Sequence, residues 1–514
     1  MKYVALMMTI LVGPAALLAA EQPRDQPNVL FIAIDDLNDW VGCLGGHEQV
    51  RTPHIDRLAE RGVLFSNAHC QAPICQPSRT SLLTGTFPHR NGVYTVEQRW
   101  RKAPLVQDAV TLPQYFREHG YRTMGAGKIF HREDQLEPAW DEWGVRYGWN
   151  WMGERVGPDG ISGLPTPSIF DFGPFPAKPE EMNDMRVTDW VVSRLDKSYD
   201  MPFFLAVGLI TPHLPLFTPP EFYEQYPLDT TRLPVTLPGD LDDLPPMGRK
   251  FTRYFDTTPM SHHNITRNGL WHKAVASYLA CATFTDHCVG RLLDALDDSP
   301  HAKNTIIVLW SDHGFHLGEK MHWEKRSLWE ESTRVPLIFS LPGFKKGSDT
   351  VVRSTPGAVP ATVPDPFLNP HRNARCTRPV GLIDIYPTLI ELCDLPEKES
   401  LQGRSLSPLL QDPTREWDYP VLTTHHPGNH AVRSEHWRYI RYANGDEELY
   451  DETANPNEWT NLAAKPEHRA MMDELAKYLP KDNRPDIGGA RGKGAEDFGS
   501  GKRAEKKRLK KAAK

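Results

Sequence analysis

At 514 residues, with 39% hydrophobic and 24% charged residues, the chain has ordinary globular usage and enough length for one large domain and a smaller one. A formal net charge of -7 excludes a general nucleic-acid binder, while leaving room for a local basic pocket that receives an anion. Beyond the N-terminus no apolar run approaches the length of a membrane-spanning helix.

In chain order, the first pattern is a targeting one. Lys2, an apolar stretch from about Val4 to Leu18, and the small residues Ala19 and Ala20 before Glu21 predict an export signal over residues 1–20, with a buried first strand as the alternative. Four later runs, over 29–34, 203–210, 305–310 and 335–341, predict fully buried parallel strands. Helical patterns over 112–120 and about 273–296 alternate with them, which predicts an α/β sheet covered on both faces. The Gly-, Pro- and Trp-rich stretches over 140–182 and 233–260 predict long surface loops that wall a substrate site. Residues 437–442 and 448–450, joined by Asn444-Gly445, predict a hairpin in a smaller C-terminal unit of α+β type. From about Gly488 the chain is Gly-rich and then basic, with eight Lys or Arg between Lys502 and Lys514. A solvated disordered tail and adhesion to an acidic polysaccharide are the two readings. The cysteine count of seven is odd, so in an exported protein at least one has a fate other than a disulfide.

In open α/β sheets ligands bind outside the carboxyl ends of the strands. The run over 29–34 ends in Asp35-Asp36, and the run over 305–310 ends in Ser311-Asp312-His313-Gly314. Three carboxylates and an imidazole thus reach one edge, where their charges conflict unless a cation joins them. The oxygen-rich set favours a hard ion, calcium or magnesium. Taken singly, Asp35-Asp36 could cap a strand end and Asp312-His313-Gly314 could be a turn. Their shared position favours the metal. A third element is Cys75-Gln76-Pro77-Ser78-Arg79, followed by Leu83-Thr84-Gly85. Pro77 suits the first turn of a helix, which sets Cys75 at an N-terminal mouth where the dipole and backbone N–H groups favour an anion. A lone cysteine is ordinarily a buried structural residue. The pattern Cys-x-Pro-Ser-Arg, however, arises by chance in only about one chain per thousand of this length.

That motif resembles the signature of type I sulfatases, in which the cysteine is oxidised to formylglycine. The resemblance extends over nearly the whole mature chain. Within the family it points to the iduronate 2-sulfatase branch, through Thr111-Leu-Pro-Gln-Tyr-Phe116, Gly127-Lys-Ile-Phe-His131, Leu317-Gly-Glu319 and Trp323-Glu-Lys325. It implies an alkaline-phosphatase-like sulfatase fold: a large mixed, mainly parallel sheet flanked by helices, plus a smaller C-terminal α+β subdomain. The implied division is a catalytic domain over 21–412, a C-terminal subdomain over 413–487 and a tail over 488–514.

By the same resemblance one Ca2+ per chain is held by Asp35, Asp36, Asp312 and His313, with the modified Cys75 adding an oxygen. His313 stands where many members carry Asn. Arg79 matches the residue that steadies the formylglycine and metal, and Lys128 and His131 match contacts to sulfate and the hydrated aldehyde. His213 matches a sulfate-contacting histidine and candidate general acid, and Lys325 the second sulfate-binding lysine. A hydrate oxygen on residue 75 then attacks sulfur, His213 protonates the leaving alcohol, and His131 is the base when the aldehyde reforms. A thiol has no second hydroxyl for that exit, so oxidation of Cys75 is required, and it leaves six cysteines. Read alone, Lys128 could be a surface lysine, His213 a turn residue beside Pro212, and Lys325 part of a solvated charge cluster.

The expected activity is removal of sulfate from a sulfated saccharide, of glycosaminoglycan or algal polysaccharide type, by an exported periplasmic or secreted enzyme that needs a formylglycine-generating enzyme to mature. The rivals are a phosphonate monoester or phosphodiester hydrolase on the same fold, and a non-catalytic binder of sulfated glycans with Cys75 left as a thiol. Trp100, Arg101, Phe315, His316, His322, Trp323, His425 and His430 are candidates to line the pocket, by stacking on sugars or binding carboxylates, or else belong to core and loops.

Overall fold

A computed structural model describes residues 26–96, 100–131, 138–148, 156, 160–164, 169–253, 258–342 and 373–487. The expected export signal and basic tail lie outside these residues. The centre of the main sheet is β1 (Asn28–Ile34), whose side chains alternate between two cores. Leu30, Ile32 and Ile34 meet helices Pro53–Arg61, Asn183–Leu195 and Trp271–Asp298 on one face. Val29, Phe31 and Ala33 meet helices Cys75–Thr84, Leu112–Glu118 and Ile385–Leu392 on the other. A strand buried on both faces is apolar at every position, which is why its run in the sequence is continuous.

The other strands of this sheet are β2 (Val63–Phe65), β3 (Arg122–Gly127), β4 (Glu142–Arg146), β5 (Phe203–Leu209), β6 (Thr305–Ser311), β7 (Leu337–Ser340) and β8 (Ala374–Cys376), in the spatial order β8-β2-β7-β6-β1-β5-β3-β4. The pairs β6-β1, β1-β5, β5-β3 and β3-β4 are parallel. The run over 335–341 is a correction: β7 pairs antiparallel with both β6 and β2. The chain leaves β6, forms an excursion at the sheet edge and returns without a crossover helix, and that return can only be antiparallel. A second correction concerns 140–182, where β4 adds an edge strand and Phe172–Pro174 pairs with Leu216–Thr218. Within 233–260 a helix spans Pro246–Thr252. β2, β3 and β8 have no counterpart among the expected strands.

The C-terminal unit is a four-stranded antiparallel meander of β9 (Val421–Thr424), β10 (His430–Arg433), β11 (Trp437–Arg441) and β12 (Glu447–Asp451), with the expected hairpin formed by β11 and β12. Met472 and Leu475 of helix Arg469–Ala476 pack with Leu422, Val432 and Tyr439. On its other side the unit meets the catalytic region through a buried ionic cluster: Arg438 pairs with Glu330, with Glu452 at 3.3 Å and with Glu458 at 2.8 Å. None of the cysteines is bridged, and all but Cys43 are buried. Among the described residues no helix is long and apolar enough to cross a membrane.

Candidate active site

Four adjacent parallel strands end at one edge, and each delivers part of the site. β1 is followed by Asp35 and Asp36, β6 by Asp312 and His313, β3 by Lys128, and β5 by the turn that carries His213. The ends of β3 and β5 approach so closely that side chains are excluded. A Cβ on Gly127, whose φ is +77°, would meet the Gly208 carbonyl oxygen at 1.9 Å, and one on Gly208 would lie 2.2 Å from the Lys128 backbone. Asp36 has a φ of 65°, a left-handed conformation rare for aspartate that persists only where the surroundings fix it. The Tyr278 hydroxyl donates to the Asp36 carbonyl at 2.7 Å, and Ser311 Oγ accepts from the Leu37 N–H at 3.0 Å.

Helix Cys75–Thr84 begins at Cys75 and closes at Gly85 in the left-handed conformation, so the thiol sits at the positive end of the helix dipole. Arg79, one turn along, donates from Nε to Asp312 Oδ2 at 2.7 Å and from Nη1 to the carbonyls of Lys128 and Ile129 at 2.5 and 3.0 Å. Its Nη2 lies 3.4 Å from Asp35 Oδ1. The Lys128 ammonium pairs with Asp35. Lys325 Nζ reaches both oxygens of Asp36 at 2.6 and 2.7 Å and Cys75 Sγ at 3.5 Å. His313 Nε2 is 3.3 Å from Cys75 Sγ, and its Nδ1 donates to the Gly314 carbonyl at 3.1 Å. In the neutral ring that bond keeps the proton on Nδ1 and turns the Nε2 lone pair toward the carboxylates. His131 hydrogen-bonds to Cys75.

The electrostatics follow from this crowding. Burial pushes the Cys75 thiol up, but Lys128, Lys325, His313 and His131 outweigh it and hold its pKa well below the ordinary value. Position 75 therefore favours an anion. Burial, together with Asp35, pushes the Asp312 carboxyl up to about 7 despite Arg79, while at the neighbouring Asp35 burial is overcome by Lys128, His213 and Arg79, which hold that carboxyl below its ordinary value. Two overlapping donor sets lie within 4.8 Å: Asp35, Cys75, Asp312 and His313, and Asp35, Asp36, Cys75 and His213. Each set offers two carboxylates, one imidazole and the side chain of residue 75, a mixed donor group that accommodates a divalent cation. Burial lowers the pKa of His131 despite its bond to Cys75. It works against charge on His213 too, yet Asp36 and then Asp35 hold that imidazole above its ordinary value.

Lys325 belongs to a strained excursion in which Lys320, Met321, Glu324 and Arg326 all have φ between 51° and 77°. Its anchors include residues expected in the pocket. His322 Nε2 donates to the Lys325 carbonyl at 2.8 Å, and His316 Nε2 bonds Ser327 Oγ at 2.9 Å. Both rings are fully buried. Of the two, His322 secures the backbone that carries Lys325 and His316 is tied to a side-chain hydroxyl, which matches the core alternative for these residues. Trp100 is likewise buried, stacked 6.0 Å from Phe130, and carries the half-exposed Arg101 4.5 Å above its ring. Phe315, Trp323, His425 and His430 are also buried.

Burial holds the His322 pKa at about 4. Its neutral form therefore contributes stability that is full above the unfolded value of 6.5 and is lost as pH falls toward about 4, a difference of about 3 kcal/mol. In thermal melts at pH 7 and pH 4.5, His322→Gln is expected to narrow the gap between the two midpoints. An unchanged gap would contradict this.

One contributor carried no signal in the sequence, and a second was visible only within the Trp323-Glu-Lys325 segment. Asp184, at the start of its helix, accepts the N–H groups of Ile210 and Thr211 at 3.0 and 2.8 Å and so fixes the His213 turn. Glu324, buried beside Lys325, has its carboxyl pushed up to about 7 by burial and by Asp36.

A family model described as Sulfatase matches residues 27–395, and one described as N-sulphoglucosamine sulphohydrolase, C-terminal, matches residues 368–484. A sulfatase of Formosa agariphila is 38% identical over 476 residues, which covers 89% of this chain and 87% of the relative. Human iduronate 2-sulfatase is 34% identical over 411 residues, covering 73% and 70%. Among solved structures, a phosphonate monoester hydrolase from Silicibacter pomeroyi superposes with a TM-score of 0.69 at 22% identity, covering 88% of this chain and 94% of that one. The fold is thus alkaline-phosphatase-like, and the matches over most of the chain establish that it belongs to the sulfatase family.

Proposed function

We propose that this protein is an exported sulfuric ester hydrolase that removes sulfate from a sulfated saccharide, of glycosaminoglycan or algal polysaccharide type, with a formylglycine made from Cys75 and one calcium ion. The observation that carries the proposal is the anion-favouring position of Cys75, at a helix N-terminus between Lys128, Lys325, His131 and His313. Asp35, Asp36, Asp312 and His313 would hold the metal, which supplies positive charge for the sulfate oxygens and the nucleophile. A formylglycine at position 75 would supply a hydroxyl nucleophile toward sulfur in place of the thiol.

The chain's own side chains do the rest. Lys128 and Lys325 neutralise sulfate oxygens as charge builds on them, from positions fixed beforehand by Asp35 and Asp36. Arg79 keeps Asp312 and Asp35 in register beneath residue 75. His213, held toward its protonated form by Asp36, donates a proton to the leaving oxygen. His131, held toward its neutral form by burial, accepts one beside residue 75. An acid and a base whose environments move their pKa values apart suit the two halves of such a reaction. The family membership and the likeness to an iduronate sulfatase support a saccharide substrate.

The likeness to a phosphonate monoester hydrolase supports a second reading, in which the same centre cleaves phosphonate or phosphodiester bonds. Matched aryl esters separate the two: faster release from the aryl sulfate is expected, and a larger kcat/KM for the aryl phosphonate would overturn the proposal. Dialysis against a chelator is expected to lower sulfate release at least about tenfold and to lower the melting midpoint, because the acidic cluster loses its cation. Added Ca2+ should restore both. Full activity after verified metal removal would exclude the metal role.

A further inference from the structure

Outside the catalytic centre lies an open cleft of about 360 Å³, lined by residues on both sides of the helix that carries Cys75 and by the C-terminal unit, a volume in the range of small-molecule sites. None of the residues placed at the catalytic centre lines it. Its walls combine two features. Tyr419 and Tyr478 are 44% and 40% exposed, and Trp417 stands edge-on to Tyr419 at 5.1 Å. The Arg404 guanidinium lies over the Tyr419 ring, 3.9 Å from its centre, and Arg90 lines the same cleft.

The one acid in the wall, Asp384, attracts Arg404, whose charge lowers its pKa, and no acid in the wall offsets Arg90. The two Asp384 oxygens accept the backbone N–H groups of Arg404 and Gly381, each at 2.8 Å, and burial pushes its carboxyl up to about 6. Neither Arg90 nor Arg404 forms an ion pair with a carboxylate among the described residues. Large aromatic faces held on a rigid frame are costly to leave in water and suit the apolar faces of sugar rings. Guanidinium forks suit sulfate or carboxylate groups.

We infer that this cleft is a second saccharide-binding site, which holds a sulfated or uronate-bearing polysaccharide chain apart from the ester that is cleaved. The inference rests on the saccharide substrate proposed above and extends it to a polymer. Charge complementarity selects this occupant. The chain's own basic stretch over 502–514 carries the same sign as Arg90 and Arg404, so it does not complement the cleft.

The test is affinity electrophoresis of the full-length protein through gels that contain heparin, chondroitin sulfate or neutral dextran, with Tyr419→Ala and Arg404→Ala beside wild type. Wild type should be retarded by at least one sulfated polymer and not by dextran, and each variant should bind that polymer at least about tenfold more weakly. Melting midpoints and turnover of a small aryl sulfate should match wild type in both variants. Tyr419→Ala is the decisive variant, because it removes a ring and no charge. If it binds like wild type, the retardation is general electrostatic adhesion and the second site is excluded, as it is if no polymer retards wild type. Aryl sulfate turnover is read in the same preparations. Retained turnover with unaltered binding in the variants defeats the cleft alone, while polymer binding that depends on Tyr419 without any turnover defeats the catalytic proposal alone.

Discussion

Cys75→Ala is expected to abolish sulfate release, by a factor of at least about ten thousand, while the fold survives. Residue 75 opens its helix and its backbone N–H sits in the first turn, so an alanine there keeps the helix and loses only the reacting atoms. The side chain meets Lys325, His313 and His131, and alanine leaves those groups facing water or substrate instead of a cavity in the apolar core. The midpoint of thermal unfolding should therefore move by only a few degrees. A variant that released sulfate at even a hundredth of the wild-type rate would remove Cys75 from the chemistry.

The second large effect is at Arg79. Its guanidinium, 1% exposed, satisfies Asp312, Asp35 and two backbone carbonyls at once. Arg79→Ala takes the guanidinium from Asp312, leaves Asp35 to Lys128 alone and strands two carbonyls, a loss of about 3–5 kcal/mol, and calcium should compensate only part of it. Arg79→Lys keeps the charge but cannot span three directions, because an ammonium on a flexible stem lacks the planar fork. It is expected to fold and to lose at least about a hundredfold in kcat, since Asp312 and Asp35 shift relative to residue 75. Melting curves with and without calcium, and sulfate release, check both variants. Near-normal rates in Arg79→Lys would contradict a role in positioning.

The centre of the site was legible because its chemistry follows continuous apolar runs. β1 and β6 are buried on both faces, so their ends, and Asp35, Asp36, Asp312 and His313 beyond them, could be located from hydrophobicity alone. Lys128 was legible only through the family motif: β3 reads Arg-Thr-Met-Gly-Ala-Gly, too poor in large side chains to register as a strand, and its glycines serve a close backbone approach. The direction of β7 was not legible, since an apolar run records burial and not polarity. The pocket walls were least legible. His316 and His322 look like polar residues near a catalytic lysine, and only the fold reveals that the His322 ring holds the Lys325 backbone and the His316 ring the Ser327 hydroxyl. Asp184 acts on His213 from a helix distant in sequence, a contact that no local pattern records.

The most direct measurement pairs peptide mass spectrometry of residue 75 with sulfate release by the same preparations. The protein is made with graded amounts of a formylglycine-generating enzyme and assayed with calcium on a panel of sulfated saccharides. Release from one saccharide class, in proportion to the fraction of residue 75 present as aldehyde, is the expected result. Release that does not follow the aldehyde fraction, or none from any saccharide at full conversion, would contradict the proposed sulfatase chemistry.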